Sequence, residues 1–258
     1  MTDSGGGNYM SEELLVIDKL AVRVEEKSIL HDISLKIKKG ETHVIMGPNG
    51  AGKSTLGHAI MGNPKFEVTN GSITYKGRNI TDEAVDKRAK DGIFLSFQNP
   101  LEVAGVSLGN FVRTAKEQIS GERTKLMAYK KEANATLDIL QMDNEYADRD
   151  LNVGFSGGEK KKSEMFQLLM LKPDLAILDE ADSGLDVDAV RIVSEGVREY
   201  KEKMDGTLLI ITHSTRILQA LKVDAVHVVV NGRIVDTGDA SLIDKINDEG
   251  FEAYLERE

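Results

Sequence analysis

Apolar positions along this chain switch between two rhythms, and their order predicts a mixed α/β fold. Residues 14–18 and 29–37 carry period-2 or continuous apolar patterns that predict strands, with polar Glu25-Glu26-Lys27 as a turn between strand-like stretches. A short apolar run, Thr42–Met46, ends at a glycine-rich loop, and a helical stretch is expected from Lys53 towards Met61. Residues 71–75 and 93–97 are further predicted strands, separated by a charged, helix-like segment over 82–90. From Ser107 to about Met142 the period changes: Leu108, Phe111, Val112, Ala115 and Ile119 share one helical face. This region is expected to be a helical insertion, with no heptad run long enough for a coiled coil.

The β/α rhythm then resumes. A helix is predicted over residues 158–171, a strand over 175–178, a helix over 187–203 and a strand over Thr207–Ile211. A late hairpin should join Ala225–Val230 to residues 233–235 through Asn231-Gly232, a strong two-residue turn signal. The stretch over 241–258 reads as helical. No internal repeat and no long linker interrupt the chain.

Composition narrows the picture. At 258 residues with 40% hydrophobic positions, the chain can bury one sizeable α/β core. A net charge of −10 argues against DNA or RNA as the main partner. No apolar stretch approaches the roughly 20 residues needed to span a bilayer. Residues 1–10, Gly-rich and polar, are expected to form a disordered tail rather than a signal or anchor, leaving residues 11–258 as the folded unit and a cytoplasmic protein as the default. There are no cysteines, which excludes disulfides, thiolate metal sites and catalytic thiols. The five histidines are scattered without metal-ligand spacing, so any metal is expected to be a Mg²⁺ held by oxygens.

Two stretches carry chemistry. Gly47-Pro48-Asn49-Gly50-Ala51-Gly52-Lys53-Ser54 fits the P-loop pattern between a predicted strand and a predicted helix. Its glycines let backbone N–H groups turn inward around phosphates, and the helix N-terminus adds positive potential. Lys53 would reach the β and γ phosphates, and the Ser54 hydroxyl would ligate Mg²⁺. The run Leu175-Ala176-Ile177-Leu178-Asp179-Glu180 is an apolar strand ending in two acids, where ligands bind in open α/β sheets. Asp179 can hold the Mg²⁺ shell and Glu180 can polarise an attacking water. An ordinary strand end entering a polar loop would look the same.

Ser156-Gly157-Gly158-Glu159, opening the helix before that strand, makes the pattern specific, because it resembles the signature loop of the ATP-binding-cassette superfamily. The order of elements supports it: the P-loop, Gln98 after a strand, the signature loop, Asp179-Glu180, the loop Ser183-Gly184-Leu185-Asp186, and His213 after a strand. The resemblance implies an α/β ABC ATPase fold: a P-loop core sheet, an antiparallel β subdomain, and a helical subdomain inserted at about residues 99–158. It implies that ATP is bound by the P-loop residues with Thr55. Ser156, Gly157 and Gly158 would complete the site of a second copy in an ATP-dependent transient homodimer, with Asp186 in the loop linking the two sites. It also implies that Gln98 contacts Mg²⁺ and water, and that His213 contacts the γ-phosphate and orients the water with Glu180.

Within the superfamily, three stretches resemble the SufC group of iron–sulfur cluster assembly: Phe97-Gln98-Asn99-Pro100, Val153-Gly154-Phe155 leading into the signature loop, and Ala181-Asp182-Ser183-Gly184. Glu159, where transporter subunits usually have glutamine, fits the same group. That resemblance implies SufB- and SufD-like scaffold partners and no membrane insertion. The ATP-binding subunit of a membrane transporter is the alternative, and a non-hydrolysing nucleotide-gated scaffold the second. Lys160-Lys161-Lys162 reads as a solvated face; a sharper expectation is that one of them pairs with Glu180 when nucleotide is absent, holding the base unproductive.

Overall fold

The computed structural model describes residues 13–255. The tail expected over residues 1–10 and the last residues of the predicted C-terminal helix lie outside the described residues.

Strands β1 (Glu13–Val24) and β2 (Lys27–Lys38) form a hairpin, and β1 runs well past its predicted end. Lys19, at φ +47°, sits at irregularities in the β1 pairing that break the period-2 pattern, so only the first half of β1 reads as a strand. The wholly buried β3 (Thr42–Met46) leads through the glycine loop into α1 (Lys53–Met61). Then come β4 (Phe66–Tyr75), β5 (Arg78–Asn79), α2 (Val85–Lys90) and β6 (Ile93–Ser96). β5 pairs only with the end of β4, and the first half of β4 is largely exposed, so it gives no apolar signal.

The region expected to be purely helical holds β7 (Val103–Ser107), α3 (Leu108–Ser120), α4 (Leu126–Ile139) and β8 (Asp150–Leu151). β7 and β8 pair antiparallel, a ribbon the sequence does not announce because most of β7 is exposed. Next are α5 (Gly157–Leu171), β9 (Leu175–Asp179), α6 (Val187–Met204) and β10 (Thr207–Ile211). The chain closes with the hairpin β11 (Ala225–Val230) and β12 (Arg233–Gly238), then α7 (Ser241–Glu249) and the short α8 (Glu252–Leu255).

The main sheet has six strands in the order β12-β11-β3-β10-β9-β6, parallel except for β12. A separate antiparallel sheet runs β2-β1-β4-β5. Because side chains alternate along each buried strand, the main sheet feeds two apolar clusters. Val44, Leu208 and Ala176 point to a cluster containing residues of α3, α4, α5 and α6. Ile45, Leu209 and Ile177 point to the other, with α1 and the antiparallel sheet.

Two buried polar arrangements support the strand and helix that flank the glycine loop. On β3, His43 Nε2 lies 3.0 Å from the Glu41 carboxylate, which can only accept, so this nitrogen donates. His43 Nδ1 must then accept from His227 Nε2 at 3.0 Å, and His227 Nδ1 faces the Thr237 hydroxyl at 3.0 Å. Burial, with a further contribution from His43, pushes His227 down from 6.5 to about 4. The unfolded chain therefore binds this proton more readily, so stability is present above pH 6.5 and falls as pH drops towards 4. The full effect is about 3 kcal/mol. Urea unfolding should lose about 2 kcal/mol between pH 7 and pH 5 beyond the loss in His227→Gln, and equal losses would refute the assignment.

Arg88, 2% exposed on α2, donates to four carbonyls: Ala59 and Ile60 at the end of α1, and Thr81 and Glu83. It caps the helix that the glycine loop starts. Gly62 makes room for it, since a Cβ there would lie 2.6 Å from Arg88 Nε.

Candidate functional site

Parallel pairing of β3, β10, β9 and β6 brings the C-terminal ends of all four strands to one edge of the sheet. That edge receives the glycine loop from β3, Gln98 after β6, Asp179 and Glu180 from β9, and His213 after β10. Residues as far apart in the chain as Ile29 and His213 thus meet around one pocket, lined by the loop from Asn49 to Thr55, Gln98, Glu180, Ser183, His213 and Ile29. Ile29, from β2, carries no chemical signature and is not anticipated by the sequence.

The loop needs its glycines for different reasons. A Cβ on Gly47 would lie 2.0 Å from the Val229 carbonyl oxygen, so β11 can pack there only against glycine. Gly52 precedes α1 at φ +100°, with Leu30 closing in behind it. The buried Lys53 ammonium donates to Gly47 O at 2.8 Å and Pro48 O at 2.9 Å, holding the cation inside the loop. Burial draws its pKa down, while Glu180 and Asp179 oppose that.

Asp179 is buried, and desolvation pushes its carboxyl pKa up, opposed by the neighbouring Ser54 hydroxyl. Its Oδ1 is buried without a hydrogen-bond partner. A buried acceptor oxygen beside a serine hydroxyl suits a hard divalent cation such as Mg²⁺, which takes few protein ligands and completes its shell with water and phosphate.

Both oxygens of Glu180 are engaged. Gln98 Nε2 donates to Oε2 at 2.6 Å, and His213 Nε2 lies 3.1 Å from Oε1. Burial and then Lys53 lower the His213 pKa, so the neutral imidazole is favoured. Glu180 has φ +49°, a sparsely used conformation for a non-glycine residue, and its N–H bonds to Ile211 O at 2.8 Å. Such a carboxylate, aimed by an amide and an imidazole, can accept a proton from a water above the loop.

The structure does not bring every predicted residue here. Ser156 caps α5 in a reciprocal capping box with Glu159, and neither it nor Gly157, Gly158 or Asp186 lines the pocket. Asp186 caps α6 through Ala189 N–H at 2.8 Å.

The lysine run is corrected on both expectations. Lys160 pairs with Glu102 at 2.7 Å and Lys162 approaches the Gln141 carbonyl, so neither touches Glu180. Lys161 is not solvated: it is 4% exposed, 3.2 Å from Glu164, and donates to Phe97 O at 2.5 Å. Glu164 Oε1 in turn accepts from Phe97 N–H at 2.7 Å. This is why β6 stops at Ser96, one residue before its predicted end. The backbone groups of Phe97 bond to α5 side chains.

A family model described as ABC transporter matches residues 30–183, more than half of the chain. The chain belongs to this family. It is an ABC ATPase domain, which binds nucleotide. Among curated relatives, "Vegetative protein 296" of Bacillus subtilis (strain 168) is 46% identical over 245 residues, covering 94% of each chain. "Probable ATP-dependent transporter ycf16" of Cyanophora paradoxa is 42% identical over 251 residues, covering 95% of this chain and 96% of its own. Among solved structures, a dimeric ATP-binding cassette in a post-hydrolysis state bound to ADP and Pi superposes with TM-score 0.76 at 18% identity, over 88% of this chain and 98% of its own. At that identity the likeness speaks for the fold.

Proposed function

We propose that two copies of this ATPase close face to face around ATP, and that the motion drives a SufB/SufD-type scaffold in iron–sulfur cluster assembly. The observation that carries the reading is the convergence of Gln98, Glu180 and His213 over Lys53, Ser54 and Asp179, with the signature loop left outside that pocket. The α5 N-terminus has backbone N–H donors and positive potential to offer an anion, and a second copy would bring it over the γ-phosphate. A solved cassette of the same fold is itself dimeric and bound to ADP and Pi, which supports pairing of two copies.

In the proposed cycle, Lys53 turns from the loop carbonyls to the β and γ phosphates. Ser54 and Asp179, with Gln98, would hold Mg²⁺, which when bound withdraws charge from the phosphate oxygens. Glu180 takes a proton from the attacking water while His213 orients it; the water oxygen bonds the γ-phosphorus as its bond to the bridging oxygen breaks, giving ADP and inorganic phosphate. ATP favours the closed pair and its products loosen it.

The partner reading rests on the SufC-like stretches and on chemistry. Without cysteine the chain cannot hold a cluster through thiolates, so iron and sulfide would sit on the scaffold. An apolar groove between α2 and α3, lined by Val85, Phe97, Phe111 and Ile119, offers the docking face. A transporter subunit is the second reading, favoured by the name of the Cyanophora relative. No helix of the described residues is long and apolar enough to cross a membrane, so on that reading the span would belong to a partner. Affinity capture from the native host tests both. Co-purification with a cysteine-bearing soluble scaffold is expected; recovery in membrane fractions with a multispanning protein would replace it by the transporter reading.

A further inference from the structure

Gln98 reaches Glu180 from a bend after β6, and a bend alone does not fix a long amide side chain. What holds the bend is the residue before it. Phe97 presents both backbone polar groups to α5, where Glu164 accepts its N–H at 2.7 Å and Lys161 donates to its carbonyl at 2.5 Å. The two side chains also bond each other at 3.2 Å, and they are 3% and 4% exposed. They lie on the helix that begins with Ser156 and Gly157.

We infer that the buried Lys161–Glu164 pair positions Gln98, clamping Phe97 so that the glutamine bend and the signature helix move as one body. Neither residue touches the nucleotide pocket, so both are positioning residues. The inference rests on the proposed roles of Gln98 and Glu180 and extends them. Phe97 is 48% exposed, in the wall of the apolar groove, while its backbone N–H and carbonyl are bonded to α5 side chains. A partner pressing on that ring therefore acts on Gln98 and on the signature helix together.

The test compares K161M/E164L, which removes the clamp without leaving a lone buried charge, with E164Q, which keeps an oxygen for the Phe97 N–H. Full-length protein is assayed for ATP turnover with Mg²⁺ and for ADP affinity by calorimetry. K161M/E164L should lower kcat by about tenfold or more, because small misplacements of a positioning group cost up to about a hundredfold. E164Q should fall in between, at roughly threefold below wild type. ADP affinity should stay within roughly twofold in both, since Lys53 and Ser54 are untouched. Amide exchange should quicken at residues 93–98 and not at 47–55. Unchanged kcat in both variants overturns the inference, as does a loss of ADP affinity that tracks the loss of turnover. If the double variant does not fold, E164Q decides alone, and wild-type kcat there overturns the clamp. Glu180→Gln run in parallel separates the premises: turnover surviving in that variant removes the proposed site itself, whereas turnover lost there but intact in the clamp variants removes only the clamp.

Discussion

Glu180→Gln should slow ATP turnover by about a thousandfold, the scale of a lost general base, while leaving ATP affinity close to wild type. The substitution is nearly isosteric and keeps one oxygen to accept from Gln98 or His213. It removes the negative charge that can take a proton from water. ATP would then remain intact in the pocket, and the closed pair it favours should accumulate. Phosphate release under single-turnover conditions measures the first effect. Size-exclusion chromatography with ATP and Mg²⁺ measures the second, as a shift from one copy to two. Turnover within about tenfold of wild type would assign the base elsewhere.

The largest stability effect is expected far from the phosphate chemistry. Arg88→Ala takes a donor from four carbonyls, two of them buried at the end of α1, of which Ala59 O keeps only the Gly62 N–H. Each unsatisfied buried group costs about 1–3 kcal/mol before relaxation and water entry recover part of it. The expected net loss is about 4 kcal/mol, at the upper end of single substitutions. Urea unfolding should show it as a lower midpoint with an unchanged slope. Arg88→Lys, which keeps up to three donors, should lose less than half as much. A loss below about 1 kcal/mol for Arg88→Ala would mean the carbonyls find water instead.

Much of the fold was legible because strong local signals coincide. α1 begins at Lys53 as predicted, since glycines stop the chain before it and a buried strand precedes them. The hairpin at Asn231-Gly232 follows from a turn pair that tolerates positive φ, and both residues adopt it. Irregular strands were harder. The second half of β1 hides behind its bulges, and β7 exposes nearly all of its side chains. The pocket residues were legible as motifs, but their meeting depends on the strand order of the main sheet. Lys161 and Glu164 were illegible for another reason. Locally, Lys160, Lys161 and Lys162 form one polar run, and what makes Lys161 different is Phe97, 64 positions earlier in the chain. Burial of a charge is set by whatever packs over it, and no window of neighbouring sequence contains that information.

The main sheet stands as a bulkhead between two apolar clusters, one shared with the α3–α4 insertion and the other with α1. Substitutions on opposite sides share few contacts, so their energetic effects should add rather than compound. An enzyme built this way can have the insertion side re-tailored to a new companion over evolutionary time while the phosphate cradle keeps its shape.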